Sequence, residues 1–289
     1  MRVFFSTRQL VLIRYQWQLF CLALMFFTQL PVTKILAKKL PYSEKRMNHA
    51  NRYFSLVGLI IGLLVILSYA VFSYLFTLEI AVILTMITSV FITGAFHEDG
   101  LADMADGMGG GYTKPKRLII MKDSRIGTYG AVTLVLSLLL KFQLLIELGQ
   151  GSFLMISVVF AYVLSRAFAA SLIFDTPYVT DDDHSKSKPI ASKQSKHDVV
   201  ILFAVALIPC LAFPWFFDDY FSLVVVILAI LLVARFVFRH WLMGKIGGFT
   251  GDCLGAAQQI SELVIYLVIV NHITVNHIAD NYVSTAGGL

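Results

Sequence analysis

Long apolar runs, broken by short polar segments, dominate this chain, and several run for about 20 residues, the helical length needed to cross a hydrocarbon core of about 30 Å. The pattern predicts seven spanning helices at about 53–76, 79–97, 129–148, 153–174, 199–216, 220–238 and 255–272. A transmembrane barrel would instead show segments of about 10 residues alternating apolar and polar, a pattern missing here. The expected fold is an all-α, polytopic integral membrane bundle. No repeat or linker divides it, so residues 1–289 are read as one membrane-embedded domain.

Charge orders the helices. Lys and Arg number three in residues 1–14, six in 34–52, five in 114–125, four in 186–196 and three in 235–245, together 21 of the 23 in the chain. Alternate connections carry none, which is the asymmetry of cytoplasmic loops, and the two remaining cations, Lys141 and Arg166, lie inside predicted helices. The run Leu10 to Leu30 has basic residues on both flanks, so one crossing there would break the alternation. It is expected to be an N-terminal re-entrant or interfacial helix, with Arg14, Gln16 and Gln18 at the interface. Arg2, Arg8 and Arg14 interrupt the first apolar residues and argue against a removed signal peptide.

Composition agrees: 58% of residues are hydrophobic and 14% charged, against about 25% charged in soluble domains. The net charge of +5 is accounted for by topology and attraction to membrane lipid, not by nucleic acid. Cys21, Cys210 and Cys253 are scattered and form neither a disulfide framework nor a zinc motif; they read as small buried hydrophobes.

Chemistry concentrates in His97-Glu98-Asp99-Gly100-Leu101-Ala102-Asp103-Met104-Ala105-Asp106-Gly107. Asp99, Asp103 and Asp106 fall at i, i+4 and i+7, one face of a helix. Like charges so placed repel, and a hard cation such as Mg²⁺, which commonly joins one or two carboxylates to phosphate oxygens, would relieve them. The plainer account is a solvated acidic loop. His97 points off that face and is expected to be structural. Next, Gly109-Gly110-Gly111 precedes a basic helix start, and Asp123-Ser124-Arg125-Ile126-Gly127 offers a metal ligand in Asp123 and a diphosphate clamp in Arg125.

Asp252 heads the last predicted helix, as a helix N-terminal acid or part of a site. Glu262, Lys141 and Arg166 are each costly inside a membrane, and are either a structural ion pair or the lining of a polar cavity that holds substrate. Lys186 and Lys188, in the polar segment after Asp181-Asp182-Asp183, are candidates for a polyanionic substrate.

In this order the motifs resemble the cobalamin synthase family, adenosylcobinamide-GDP ribazoletransferase. The likeness rests on Phe96 to Asp103 with Asp106-Gly107, Asp123 to Gly130, and Gly251-Asp252-Cys253-Leu254-Gly255-Ala256 with Glu262; Lys141 and Arg166 also match family positions. Gln29 departs from the pattern, standing where the similar segment often has arginine. The resemblance implies a Mg²⁺-dependent enzyme of the inner membrane with its active site facing the cytoplasm. Its partners would be adenosylcobinamide-GDP and α-ribazole or α-ribazole 5′-phosphate, and its products adenosylcobalamin, or its 5′-phosphate, and GMP. On that basis Asp99, Asp103 and Asp106 are expected to hold the metal, Asp106 to be the base, Asp123 to complete the site and Arg125 to stabilise the leaving GMP. A homo-oligomer is compatible with this reading. Other classes would be another Mg²⁺-dependent membrane phosphotransferase, although no DGxxAR or NDxxD occurs, or a cation transporter, for which most carboxylates lie outside the helices.

Overall fold

The computed structural model describes residues 7–30, 40, 43–151, 153–179, 192–216 and 221–286, with backbone alone for 212–216 and 276–286. Among the described residues there is no strand, only an isolated bridge between Tyr178 and Phe249. The helices are α1 (Thr7–Phe27), α2 (Glu44–Ala50), α3 (Phe54–Leu75), α4 (Leu78–Thr93), α5 (Phe96–Gly110), α6 (Lys114–Met121), α7 (Thr128–Gln150), α8 (Leu154–Ser171), α9 (Lys196–Phe216), α10 (Phe221–Lys245) and α11 (Gly251–Ala286). Short 3₁₀ turns, Asn51–Tyr53 and Leu172–Phe174, join α2 to α3 and extend α8.

The predicted helix 79–97 is in fact two. Gly94 and Ala95 both take left-handed backbone, at φ 71 and 58, and α5 leaves α4 at 86°. Apolar residues continue through the corner, so hydropathy has nothing to register there. The physical cause is contact with α1: the Gln29 side chain packs on Gly94, within 2.9 Å of where a Cβ would stand, and the Gln29 N–H donates to the Ile92 carbonyl at 2.8 Å. We therefore read α4 as the crossing segment and α5 as a helix running along the membrane face.

Among the described residues six helices are long and apolar enough to cross a membrane, and the bent α4–α5 pair makes up to seven. α1 is one of the six by length and composition, yet its partners lie at one end of the bundle. Gln18 accepts from Arg46 (2.9 Å), Gln16 from the Tyr53 hydroxyl (2.7 Å), and Phe27 stacks on Phe54 with ring centres 3.9 Å apart. Arg46 lies on α2, Tyr53 and Phe54 lead into α3, and Ile92 ends α4; all belong to the end that carries the basic segments. Leu10, Val11, Leu12, Ile13 and Trp17 remain exposed. α1 thus lies across that end, and Gln16 and Gln18 meet its cations there.

The central helix is α8, buried along nearly its whole length. α3 approaches it through Gly58 and Gly62; a Cβ at Gly58 would collide with the Tyr162 carbonyl and Arg166 Cδ. Such small-xxx-small spacing lets helix backbones close in a bilayer, where dispersion drives association. A second, smaller core of Leu101, Met104, Leu118, Leu242, Phe249 and Cys253 ties α5, α6, α10 and the start of α11 together beneath the polar face. All three cysteines are free and buried.

Candidate active site

α5 has two faces. Glu98, Leu101, Ala102 and Met104 point inward, Asp99 is exposed and Asp103 half-buried. Gly100 brings α11 against it: a Cβ there would stand 3.1 Å from Asp252 Cα and 3.2 Å from Gly255 Cα. The first turn of α11 therefore carries Asp252 to the acidic face. Burial first, then the charges of Asp99, Asp252 and Asp106, raise the Asp103 carboxyl to about 7.

Asp106 is fixed by the backbone of α7. It is buried, its Oδ2 accepts the Gly127 N–H at 2.7 Å and its Oδ1 the Gly130 N–H at 2.8 Å, which satisfies the unpaired N–H groups at the start of α7. Gly127 and Gly130 leave room for the carboxylate; a Cβ at either would strike it. Each carboxylate oxygen accepts one of these N–H groups, so Asp106 is held as the cap of α7, close enough to Asp103 for its charge to act there. Asp252 joins Asp99 and Asp106 as the acids whose charges reach Asp103. Among the described residues no three His, Cys, Asp or Glu side chains converge closely enough to hold an ion by themselves.

Asp123 and Arg125 lie on the turn between α6 and α7 and are paired with each other. Arg125 donates from Nε to Oδ1 (3.0 Å) and from a terminal nitrogen to Oδ2 (2.6 Å), and its backbone N–H adds a bond to Oδ1 (3.1 Å). These bonds hold the Asp123 carboxyl down at about 2. Nearby, Arg117 donates to the Lys245 carbonyl at 2.8 Å, capping the end of α10.

Beneath the acidic face, inside the bundle, Lys141 Nζ lies 2.6 Å from Glu262 Oε1, both side chains almost fully buried. Gln258 donates to Glu262 Oε2 (2.6 Å) and to Ser165 (3.1 Å), and the Tyr266 hydroxyl to Glu262 Oε1 (3.3 Å). Arg166 donates to the Tyr162 carbonyl (2.9 Å) with its guanidinium over the Tyr162 ring, 4.8 Å from its centre. Lys141 and Glu262 thus form a buried ion pair, and Arg166 packs on Tyr162 beside it, with no hydrogen-bond partner for its Nε among the described residues. Lys186 and Lys188 lie outside the described residues.

The family model of CobS, cobalamin-5-phosphate synthase, matches residues 19–270. The chain belongs to the cobalamin-5-phosphate synthase family. Similar relatives are the proteins named adenosylcobinamide-GDP ribazoletransferase from Vibrio parahaemolyticus, 54% identical over 92% of this chain and 96% of the relative, and from Vibrio cholerae, 52% identical over 90% and 95%. One of the same name from Shewanella amazonensis is 47% identical over 88% and 95%. No solved structure matches the chain. Membership of the cobalamin-5-phosphate synthase family leaves the cation-transporter reading without support.

Two groups in this family member escape sequence reasoning. Glu98 is buried and accepts from Gln259 at 3.0 Å, opposite its acidic neighbours. The signal was there: Lys141 and Arg166 are two intramembrane cations against one acid, Glu262, and a second buried acid was owed to them. Asp198, at the start of α9, is ion-paired with Arg52, lies 3.2 Å from His49 Nδ1 and accepts the Ser195 N–H at 2.9 Å. It pins α9 to the start of α3, and nothing local to residue 198 in the sequence names its partners.

Proposed function

We propose that this chain transfers the adenosylcobinamide-phosphate moiety of adenosylcobinamide-GDP to α-ribazole, or to α-ribazole 5′-phosphate, giving adenosylcobalamin, or its 5′-phosphate, and GMP. A ribazole hydroxyl oxygen bonds to the phosphorus attached to cobinamide, and the bond from that phosphorus to the bridging oxygen breaks. The bridging oxygen departs with GMP, and the hydroxyl proton is given up. The observation that carries the reading is the meeting of α5 with the start of α11, which gathers Asp99, Asp103 and Asp252 in a member of this family.

The reading includes dependence on Mg²⁺. Three carboxylates, of which one is already reluctant to ionise beside the others, suit a hard cation that keeps some waters and shares its remaining positions with phosphate oxygens. Asp99 and Asp103 would hold it, with Asp252 facing them. When bound, the ion neutralises charge on the diphosphate. Asp103, raised to about 7 by burial and its acidic neighbours, is the carboxylate that gains most from a bound cation, while Asp106 stays engaged as the cap of α7. The Arg125 guanidinium offers the planar fork that fits phosphate oxygens, and its exposure lets it pass from Asp123 to the leaving GMP. Lys186 and Lys188 would add positive charge for the same polyanion. The crowding of basic residues on one side supports a site facing the cytoplasm from the inner membrane.

Purified protein in lipid vesicles, given adenosylcobinamide-GDP, α-ribazole and Mg²⁺, should release GMP and form the joined corrinoid in equal amounts, and chelation should stop both. Ion flux in the same vesicles without GMP release would overturn the reading.

A further inference from the structure

Between α8, α9 and α10 runs a groove of about 100 Å³, away from the acidic face. Phe168, Phe203, Leu207, Leu228 and Leu232 make its walls apolar, and Leu207 and Leu232 are 44% and 71% exposed, so it opens sideways on the surface that faces lipid. An apolar furrow of this size, open on the side that faces lipid, takes a few methylenes of a hydrocarbon chain.

The end of the furrow differs in kind. Arg235 lines it, at the basic end of the bundle, donating to Ser171 Oγ (2.8 Å), the Ser171 carbonyl (2.9 Å) and Asp175 Oδ1 (2.7 Å). One turn on, Arg239 donates to the Asp175 carbonyl at 2.8 Å and its Nε lies 3.3 Å from Asp175 Oδ2. Among the described residues two guanidinium groups thus share a single carboxylate, which leaves positive charge at the mouth. Asp175 also lines, with Lys193, an open polar groove of about 630 Å³, which adds a third cation and room for a headgroup. Apolar furrow, cationic mouth and polar vestibule succeed one another as tail, phosphate and headgroup do in a membrane lipid.

We propose that this furrow binds one acyl chain of an anionic glycerophospholipid from the surrounding bilayer, with the phosphate held at Arg235 and Arg239. The charge selects the lipid. A zwitterionic headgroup brings its own cation to an already cationic mouth, whereas an anionic one does not. The test reads retained lipid and needs no turnover.

The full chain is released from nanodiscs holding equal phosphatidylcholine and phosphatidylglycerol and its retained lipid is weighed by native mass spectrometry. Wild type should keep one phosphatidylglycerol in preference to phosphatidylcholine by about tenfold, the ratio expected from one to two basic contacts. Arg239→Gln, which spares the Arg235 clip between α10 and α8, should lose the preference. Leu228→Trp, which fills the furrow and leaves both arginines in place, should lose the retained lipid. Equal retention of the two lipids by wild type, or a Leu228→Trp protein that keeps its lipid, would overturn the proposal. So would a wild-type chain that carries only detergent or appears as a lipid-free dimer.

Discussion

Gly100 on α5 and Gly255 on α11 cross so closely that a Cβ added to either would stand 3.2 Å from the Cα of the other. That crossing sets Asp252 beside Asp99 and Asp103. Gly100→Ala would therefore push the two helices apart, at a cost of about 1–3 kcal/mol. A shift of about 1 Å in a catalytic group can cost about 100-fold in rate, and GMP release is expected to fall by about that much. Gly110→Ala, whose nearest neighbour is Ile120 Cδ1 at 3.5 Å, is the control and should remain active.

Asp103→Asn should insert normally and lose at least about 100-fold in turnover, the effect of removing a key electrostatic group. GMP release from vesicles measures it; near-normal turnover would take Asp103 out of the site.

The same residue predicts a pH dependence. Its carboxyl is raised to about 7 in the fold, against about 3.9 in an unfolded chain. A carboxyl raised on folding gives up its proton less readily in the native state, so ionisation favours unfolding. Stability referred to Asp103→Asn is then greatest below about pH 4, declines as pH rises towards 7 and is level beyond. Thermal midpoints of both proteins without Mg²⁺, between pH 5 and 8, should diverge with the variant ahead, and Mg²⁺ should close the gap. Parallel curves would mean that Asp103 is not crowded.

Asp106 separates a cap from a ligand. Asp106→Ala leaves two N–H groups of α7 without their acceptor and should destabilise by about 1–3 kcal/mol. Asp106→Asn keeps one acceptor oxygen and should lose less than about tenfold in activity, given a cost of about 1 kcal/mol for one hydrogen bond. A loss as great as that of Asp103→Asn would return Asp106 to the catalytic group.

Lys141→Met strands Glu262 in the bundle and should cost about 3–5 kcal/mol, while pairing it with Glu262→Met should recover much of that loss. Thermal midpoints of the single and double variants decide this. Recovered stability without recovered activity would restore a substrate role to the pair.

Much of this was legible in the chain because a bilayer simplifies the problem. Every backbone group must bond within its own helix, so apolar length alone locates the crossings, and the basic loops order them. The acidic face was legible by helical period. What was not legible depends on contacts between distant residues. Nothing around Asp106 distinguishes it from Asp103, because its partners, Gly127 and Gly130, follow 21 and 24 residues later. Asp252 reaches the site only through the Gly100–Gly255 crossing. The break at Gly94–Ala95 is packed by Gln29, the residue that stands where the similar family segment often has arginine.

The corner between α4 and α5 also decides how two bulky molecules can reach one phosphorus. In-line displacement needs the entering and departing oxygens on opposite sides. Carboxylates strung down a helix that plunged into the bundle would line a shaft with one entrance. Because α5 turns 86° from α4, its acids instead stand along a ledge, Asp99 exposed and Asp103 half-buried. A ledge has two ends, so the acceptor can arrive at one while GMP leaves from the other.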